Sequence, residues 1–96
     1  MLDWYLIMRY ELEKILKEEL RFLAITTRNR LNLTQKEMGE RLIMSESSYS
    51  DIETGRFMCS TLTTLLLLDL QDNPYDFLQK VKTKFVQWYE KEMQPI

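Results

Sequence analysis

The sequence predicts an all-α chain of five helices, and three observations carry that expectation. Only two glycines and two prolines occur in 96 residues, so long spans carry neither, which suits helices better than sheets. Apolar residues recur at three- and four-residue spacing over most of the chain. Between Leu33 and Gly55 two short helical patterns, each opened by a hydroxyl residue, stand almost directly end to end.

The first helix is expected from about Asp3 or Met8 to Arg30. Leu12, Ile15, Leu16, Leu20, Leu23 and Thr27 form its apolar side, with Glu13, Lys14, Lys17, Glu18 and Arg21 on other faces. Asn29 to Asn32 is its exit. The second helix, about Gln35 to Leu42, begins in a capping box: Thr34 accepts from the Glu37 N–H while Glu37 reaches back to the Thr34 N–H. It buries Met38 and Leu42. Ser45 caps the third helix, about Glu46 to Thr54, which buries Tyr49 and Ile52. Gly55 stops it, because glycine takes the left-handed conformation without steric penalty. The fourth helix starts after Ser60 or Thr61 and ends near Leu70, with Leu62, Leu65, Leu66 and Leu70 expected on one face. Four consecutive leucines cover every direction of a helix, so Leu67 or Leu68 is expected to face something outside the small core. The fifth helix has Asn73 as N-cap, Pro74 at its first position and Asp76 complementing the dipole. It runs to about Lys91 with Phe77, Leu78, Val81, Phe85, Trp88 and Tyr89 as its apolar stripe.

Composition narrows the function. The chain has no histidine and a single cysteine, Cys59, which removes the commonest general base and the commonest zinc ligand together. With no glycine-rich phosphate cradle either, the expectation is a protein that is not an enzyme and has no cofactor and no metal. Cys59 reads as a buried structural thiol. No segment reaches the roughly 20 apolar residues that span a membrane, and no basic run precedes the Trp4–Met8 cluster as a signal peptide would require. A cytoplasmic protein without a membrane partner is expected. The formal net charge of −2 does not announce nucleic-acid binding, so the placement of the charges decides.

The residues from about Arg21 to Leu70 resemble the phage-repressor-type helix-turn-helix domains of the xenobiotic-response-element class of bacterial transcriptional regulators. The elements that carry the resemblance are Arg28, Leu33-Thr34-Gln35-x-Glu37-Met38-Gly39, Ser45-x-x-x-Tyr49-x-x-Ile52-Glu53-Thr54-Gly55, and Ser60 with Leu62, Leu65 and Leu66. The resemblance implies a five-helix repressor-like fold that binds duplex DNA sequence-specifically, usually as a dimer. The length of 96 residues suits one domain over residues 1–96, with the resembling core at about 21–70, a helical N-terminal extension over 1–20 and an added C-terminal helix over 74–92.

Carried over position by position, Gln35 touches a phosphate, and Ser45, Thr54 and Arg56 contact the sugar–phosphate backbone. Glu46, Ser47, Ser50 and Asp51 read bases in the major groove, and Arg28 pairs internally with Glu53. Glu46 and Asp51 are unusual readers. A carboxylate accepts from the cytosine amino group, yet it opposes the counterion release that supplies most affinity. Arg30, Lys36, Arg41 and Arg56 offset them only where they flank that face.

Two further positions depart from the family pattern. Ile43 stands where a turn glycine is frequent, and because a β-branched residue disfavours positive φ, a differently wound turn is expected. Gly39 replaces the usual alanine, keeping the close helix approach while weakening the helix by up to about 1 kcal/mol.

The Lys80, Lys82 and Lys84 group reads as a solvated face. Trp4, Tyr5, Trp88 and Tyr89 admit two readings: mutual cover between first and last helices, or a homodimer interface. Two alternatives to a DNA-binding regulator stay open. One is an antitoxin-like protein whose terminal helix holds a protein partner. The other is a helical interaction module with weak or lost DNA binding.

Overall fold

The computed structural model describes residues 2–92, which fold into five helices with no strand among them. These are α1 (Leu2–Leu31), α2 (Gln35–Arg41), α3 (Glu46–Glu53), α4 (Thr61–Asp69) and α5 (Pro74–Glu92). The later helices begin and end close to the expected residues, and α1 takes the longer of its two expected spans. No helix among the described residues is long and apolar enough to cross a membrane.

Each of the first three helices ends in the same way. Leu33 N–H donates to the Arg28 carbonyl and Asn32 N–H to the Asn29 carbonyl, with Asn32 at φ 59°. Residues 39–44 and 51–56 repeat this pair of bonds around Ile43 and Gly55. Such a Schellman ending satisfies carbonyls that a helix C-terminus otherwise leaves open, and it turns the chain sharply. α5 begins as expected, the Asn73 side-chain oxygen accepting from the Tyr75 N–H at 3.1 Å.

The core lies where α1 crosses α3 and α4. Leu20, Ala24, Met38, Leu42, Tyr49 and Leu67 are almost fully buried, with Ile52, Phe77 and Val81 at their edge. Cys59 is buried too, and that burial pushes its thiol pKa up.

α4 corrects the sequence-based expectation. Its buried side is Thr63 and Leu67. Leu66 and Leu70 pack against the core as expected, but Leu62 and Leu65 are 61% and 60% exposed. Neither Leu67, fully buried, nor Leu68, packed on the core, is the outward leucine expected. The reason is polar. Ser60 caps α4 by accepting from the Thr63 N–H, and its hydroxyl donates to Thr63 Oγ1 at 3.0 Å, so a threonine is satisfied in the core. Hydrophobicity alone assigned that inward place to leucine. At the other end Gln71 donates to Thr27 Oγ1 and the Leu67 carbonyl, and Arg30 donates to the Leu70 carbonyl at 2.7 Å.

α5 packs along α1. The Trp4 and Trp88 rings stack with centroids 6.1 Å apart, and Lys80 pairs with the nearly buried Glu19 at 3.4 Å. Phe77 and Val81 are the buried part of the α5 stripe, whereas Leu78 and Tyr89 remain about half exposed. First and last helices therefore cover one another in part.

Candidate nucleic-acid interface

α2 opens in a complete capping box. Thr34 Oγ1 accepts from the Glu37 N–H at 3.1 Å, and Glu37 Oε1 accepts from the Thr34 N–H at 2.9 Å. Those bonds from Thr34, backbone first, hold the Glu37 carboxyl below its ordinary pKa. Ser45 then caps α3 by accepting from the Ser48 N–H.

The turn between the two caps overturns one expectation. Ile43 sits at φ 58°, so the turn is wound in the left-handed way that glycine would allow, with isoleucine bearing the strain. Its side chain is 76% exposed and gains nothing from packing in return. The closeness of α2 to the turn explains why the geometry persists. A Cβ built on Gly39 would lie 2.9 Å from the Met44 carbonyl oxygen, and Met44 N–H donates to the Gly39 carbonyl at 2.9 Å.

α3 is thereby held with one side in and one side out. Tyr49 and Ile52 are buried, and Glu53 points into the gap between α1 and α2. Ser47, Ser50, Asp51 and Thr54 follow i, i+3, i+4, i+7 spacing, which aligns them as one stripe on the opposite side. Ser47 and Thr54 are exposed, and Ser50 and Asp51 are half-buried. Glu46 and the cap Ser45 are exposed at the start of the helix, and Arg56 is exposed beyond its end. Ser47, Ser50, Asp51 and Thr54 thus occupy one surface, with Arg56 tied to it through Asp51, while Glu46, seven residues before Glu53, lies beside the stripe at the helix start.

Glu53 organises the inward side. Its Oε2 accepts from Arg28 Nε at 2.6 Å and from the Tyr49 hydroxyl, and its Oε1 accepts from Arg28 Nη2 and Gln35 Nε2, both at 3.1 Å. Arg21 Nε adds a bond to the Glu53 backbone carbonyl at 2.7 Å. Burial would raise the Glu53 pKa, but the bonds from Arg28, Tyr49 and Gln35 outweigh it and hold the carboxyl ionised below its ordinary range. Burial, then the Glu53 contact, pushes the Tyr49 phenol up, so it stays a donor.

A short capped helix, a tight turn and a second capped helix locked to α1 form the helix-turn-helix arrangement. Residues 20–70, more than half of the chain, match the family described as "Helix-turn-helix domain". The chain belongs to that family. No curated protein and no solved structure matches it.

Within this helix-turn-helix unit the predicted residues differ in how free they are. The Gln35 amide is not wholly outward: one N–H serves Glu53, leaving one N–H and the carbonyl oxygen for other partners. The Ser45 hydroxyl donates to Ser48 Oγ, and Thr54 Oγ1 donates to the Asp51 carbonyl. Arg56 Nη1 lies 3.9 Å from Asp51 Oδ1, so one of the two carboxylates expected to read bases already has a cation beside it. Arg30 is engaged elsewhere, with Leu70 and Asp72. Glu46 has no such partner among the described residues.

Sequence reasoning missed two contributors. Arg21 was placed on the outer faces of α1, yet it is half-buried and caps the end of α3. Its spacing of seven from Arg28, two turns along the same side of α1, was the available signal. The Tyr49 hydroxyl carried no signal beyond its four-residue distance from Glu53.

Proposed function

We propose that this chain is a sequence-specific double-stranded DNA-binding transcriptional regulator of the phage-repressor type, with α3 in the major groove. The observation that carries this reading is the divided α3. Tyr49, Ile52 and Glu53 fix its inner side, while the Ser47, Ser50, Asp51 and Thr54 stripe is presented outward.

Glu46, Ser47, Ser50 and Asp51 are the base readers in this proposal. Ser45, Thr54 and Arg56 face the sugar–phosphate backbone, and Gln35 meets a phosphate through the N–H that Glu53 leaves free. Residues 21–70 are the DNA-binding core. The helical pieces over 1–20 and 74–92 hold two copies together, matching a palindromic site.

The test is an unbiased selection of duplex DNA with purified protein, read at two salt concentrations. One preferred sequence that survives the higher salt supports the proposal; equal retention of all sequences defeats it. A second reading is favoured by one specific observation: α3 contains Glu46, Asp51 and Glu53 but no Lys or Arg. An antitoxin-like or other interaction module with weak DNA binding fits that composition. Glu46→Gln with Asp51→Asn separates the two. A sequence preference in the unaltered chain that shifts in the variant supports the DNA reading, and no preference in either chain supports the interaction reading.

A further inference from the structure

Between residues 3 and 10, α1 carries six apolar side chains, Trp4, Tyr5, Leu6, Ile7, Met8 and Tyr10, spread over most of the helix, with Asp3 and Arg9 the charged residues among them. A helix of that kind needs cover on more than one side. α5 supplies it on one side only, through the Trp4–Trp88 stack. Leu6, Ile7 and Tyr10 remain 65%, 53% and 63% exposed.

Asp3, Ile7, Tyr10 and Lys14 follow four-three-four spacing, the spacing of a helix-pairing seam, and all four are exposed. We infer that this stripe pairs antiparallel with the same stripe of a second copy, Ile7 against Tyr10 and Asp3 against Lys14, in both directions across a two-fold axis.

Charge selects this arrangement. In a parallel pairing Asp3 would meet Asp3 and Lys14 would meet Lys14 at the two ends of the seam. In the antiparallel pairing the apolar centre is flanked at both ends by opposite charges, and a single stripe is complementary to itself. Lys14 is available for this. Its present partners are Glu11 at 3.8 Å and the Tyr10 ring at 5.6 Å, and with 60% of its side chain exposed such an ion pair is weak. Arg9 and Glu13, 3.9 Å apart, balance one another beside the seam.

The inference rests on the dimeric reading above and gives that dimer a definite surface. Sedimentation equilibrium of the full chain tests both. The unaltered chain is expected to dimerise. Asp3→Lys or Lys14→Asp alone is expected to weaken dimerisation roughly tenfold, since each creates two like-charge contacts. Combining them is expected to restore it, and Tyr10→Glu is expected to abolish it. A monomeric unaltered chain at high micromolar concentration overturns the dimeric reading and this inference together. A dimer indifferent to all these changes, but lost on Val86→Lys, overturns the seam alone. It would assign the contact to the 370 Å³ groove lined by Met8, Leu12, Phe85, Val86 and Trp88.

Discussion

Arg28 and Glu53, 25 residues apart, form a two-bond ion pair that joins the end of α1 to the end of α3. The Glu53 side chain is 9% exposed, so water has little access to accept in place of the carboxylate if it is lost. Glu53→Ala leaves Arg28, Gln35 and Tyr49 without their shared acceptor. The expected loss is about 3 kcal/mol of unfolding free energy, the scale for removing one member of a buried pair. Urea unfolding measures it. A loss under about 0.5 kcal/mol, the size of an ordinary surface change, would show that the pair does not hold α3.

The same site gives stability a dependence on pH at both ends. The Glu53 pKa is lowered on folding, so its contribution is present above the unfolded value and is lost as pH falls through the folded one. The Tyr49 pKa is raised, so the unfolded chain ionises first and stability falls as pH rises past the ordinary tyrosine value of about 10. Glu53→Gln should flatten the acid limb of a stability-against-pH profile. Tyr49→Phe should flatten the alkaline limb and, by removing one of the three bonds that lower the Glu53 pKa, reduce the acid limb without abolishing it.

The legible part of this fold was what local chemistry dictates. Thr34, Ser45, Ser60 and Asn73 are side chains that accept from the first turn of a helix, and each start falls where they stand. What escaped was decided between elements. Leu62 and Leu65 are better hydrophobes than Thr63, but the Ser60 hydroxyl satisfies Thr63 inside and leaves the leucines outside. Gln35 carries no local mark of its bond to Glu53, and Arg21 only its spacing from Arg28; both bonds exist only once three helices meet. The candidate site was legible as a stripe on α3, because helical spacing alone aligns residues 47, 50, 51 and 54.

Ile43 offers a gain rather than a loss. A left-handed β-branched residue costs roughly 1–2 kcal/mol, and an exposed side chain returns none of it. Ile43→Gly removes that strain but adds about 0.5–1 kcal/mol of chain entropy to the unfolded state. The expected balance is a stabilisation of about 0.5–1 kcal/mol, seen as a higher midpoint in thermal unfolding. An unchanged or lower midpoint would mean that isoleucine is not strained there.

Gly39 should respond in the opposite sense to helix propensity. Alanine at a helix interior is better than glycine by up to about 1 kcal/mol. Here the new methyl meets the Met44 carbonyl oxygen, 2.9 Å away, which is backbone of a residue whose N–H is already bonded to the Gly39 carbonyl. Gly39→Ala is therefore expected to destabilise the protein by about 1 kcal/mol or more. Stabilisation would indicate that the turn moves aside at no cost.

Arg56 and Asp51 separate two roles that a cation beside a carboxylate can play if that carboxylate faces DNA as proposed. The pair is 3.9 Å apart with Arg56 mostly exposed, so it holds weakly and Arg56 remains free to reach a phosphate. Under the DNA-binding proposal, Arg56→Ala should weaken binding. If Arg56 contacts a phosphate, the slope of log affinity against log salt should fall by about 0.9. Asp51→Asn should strengthen binding to unrelated sequences by removing a repelled charge. The double variant decides the mechanism. If Arg56 acts only by neutralising Asp51, loss of both charges returns affinity and salt slope to near their original values. If it grips a phosphate itself, the double variant keeps the reduced slope, because no other cation displaces the counterion from that phosphate.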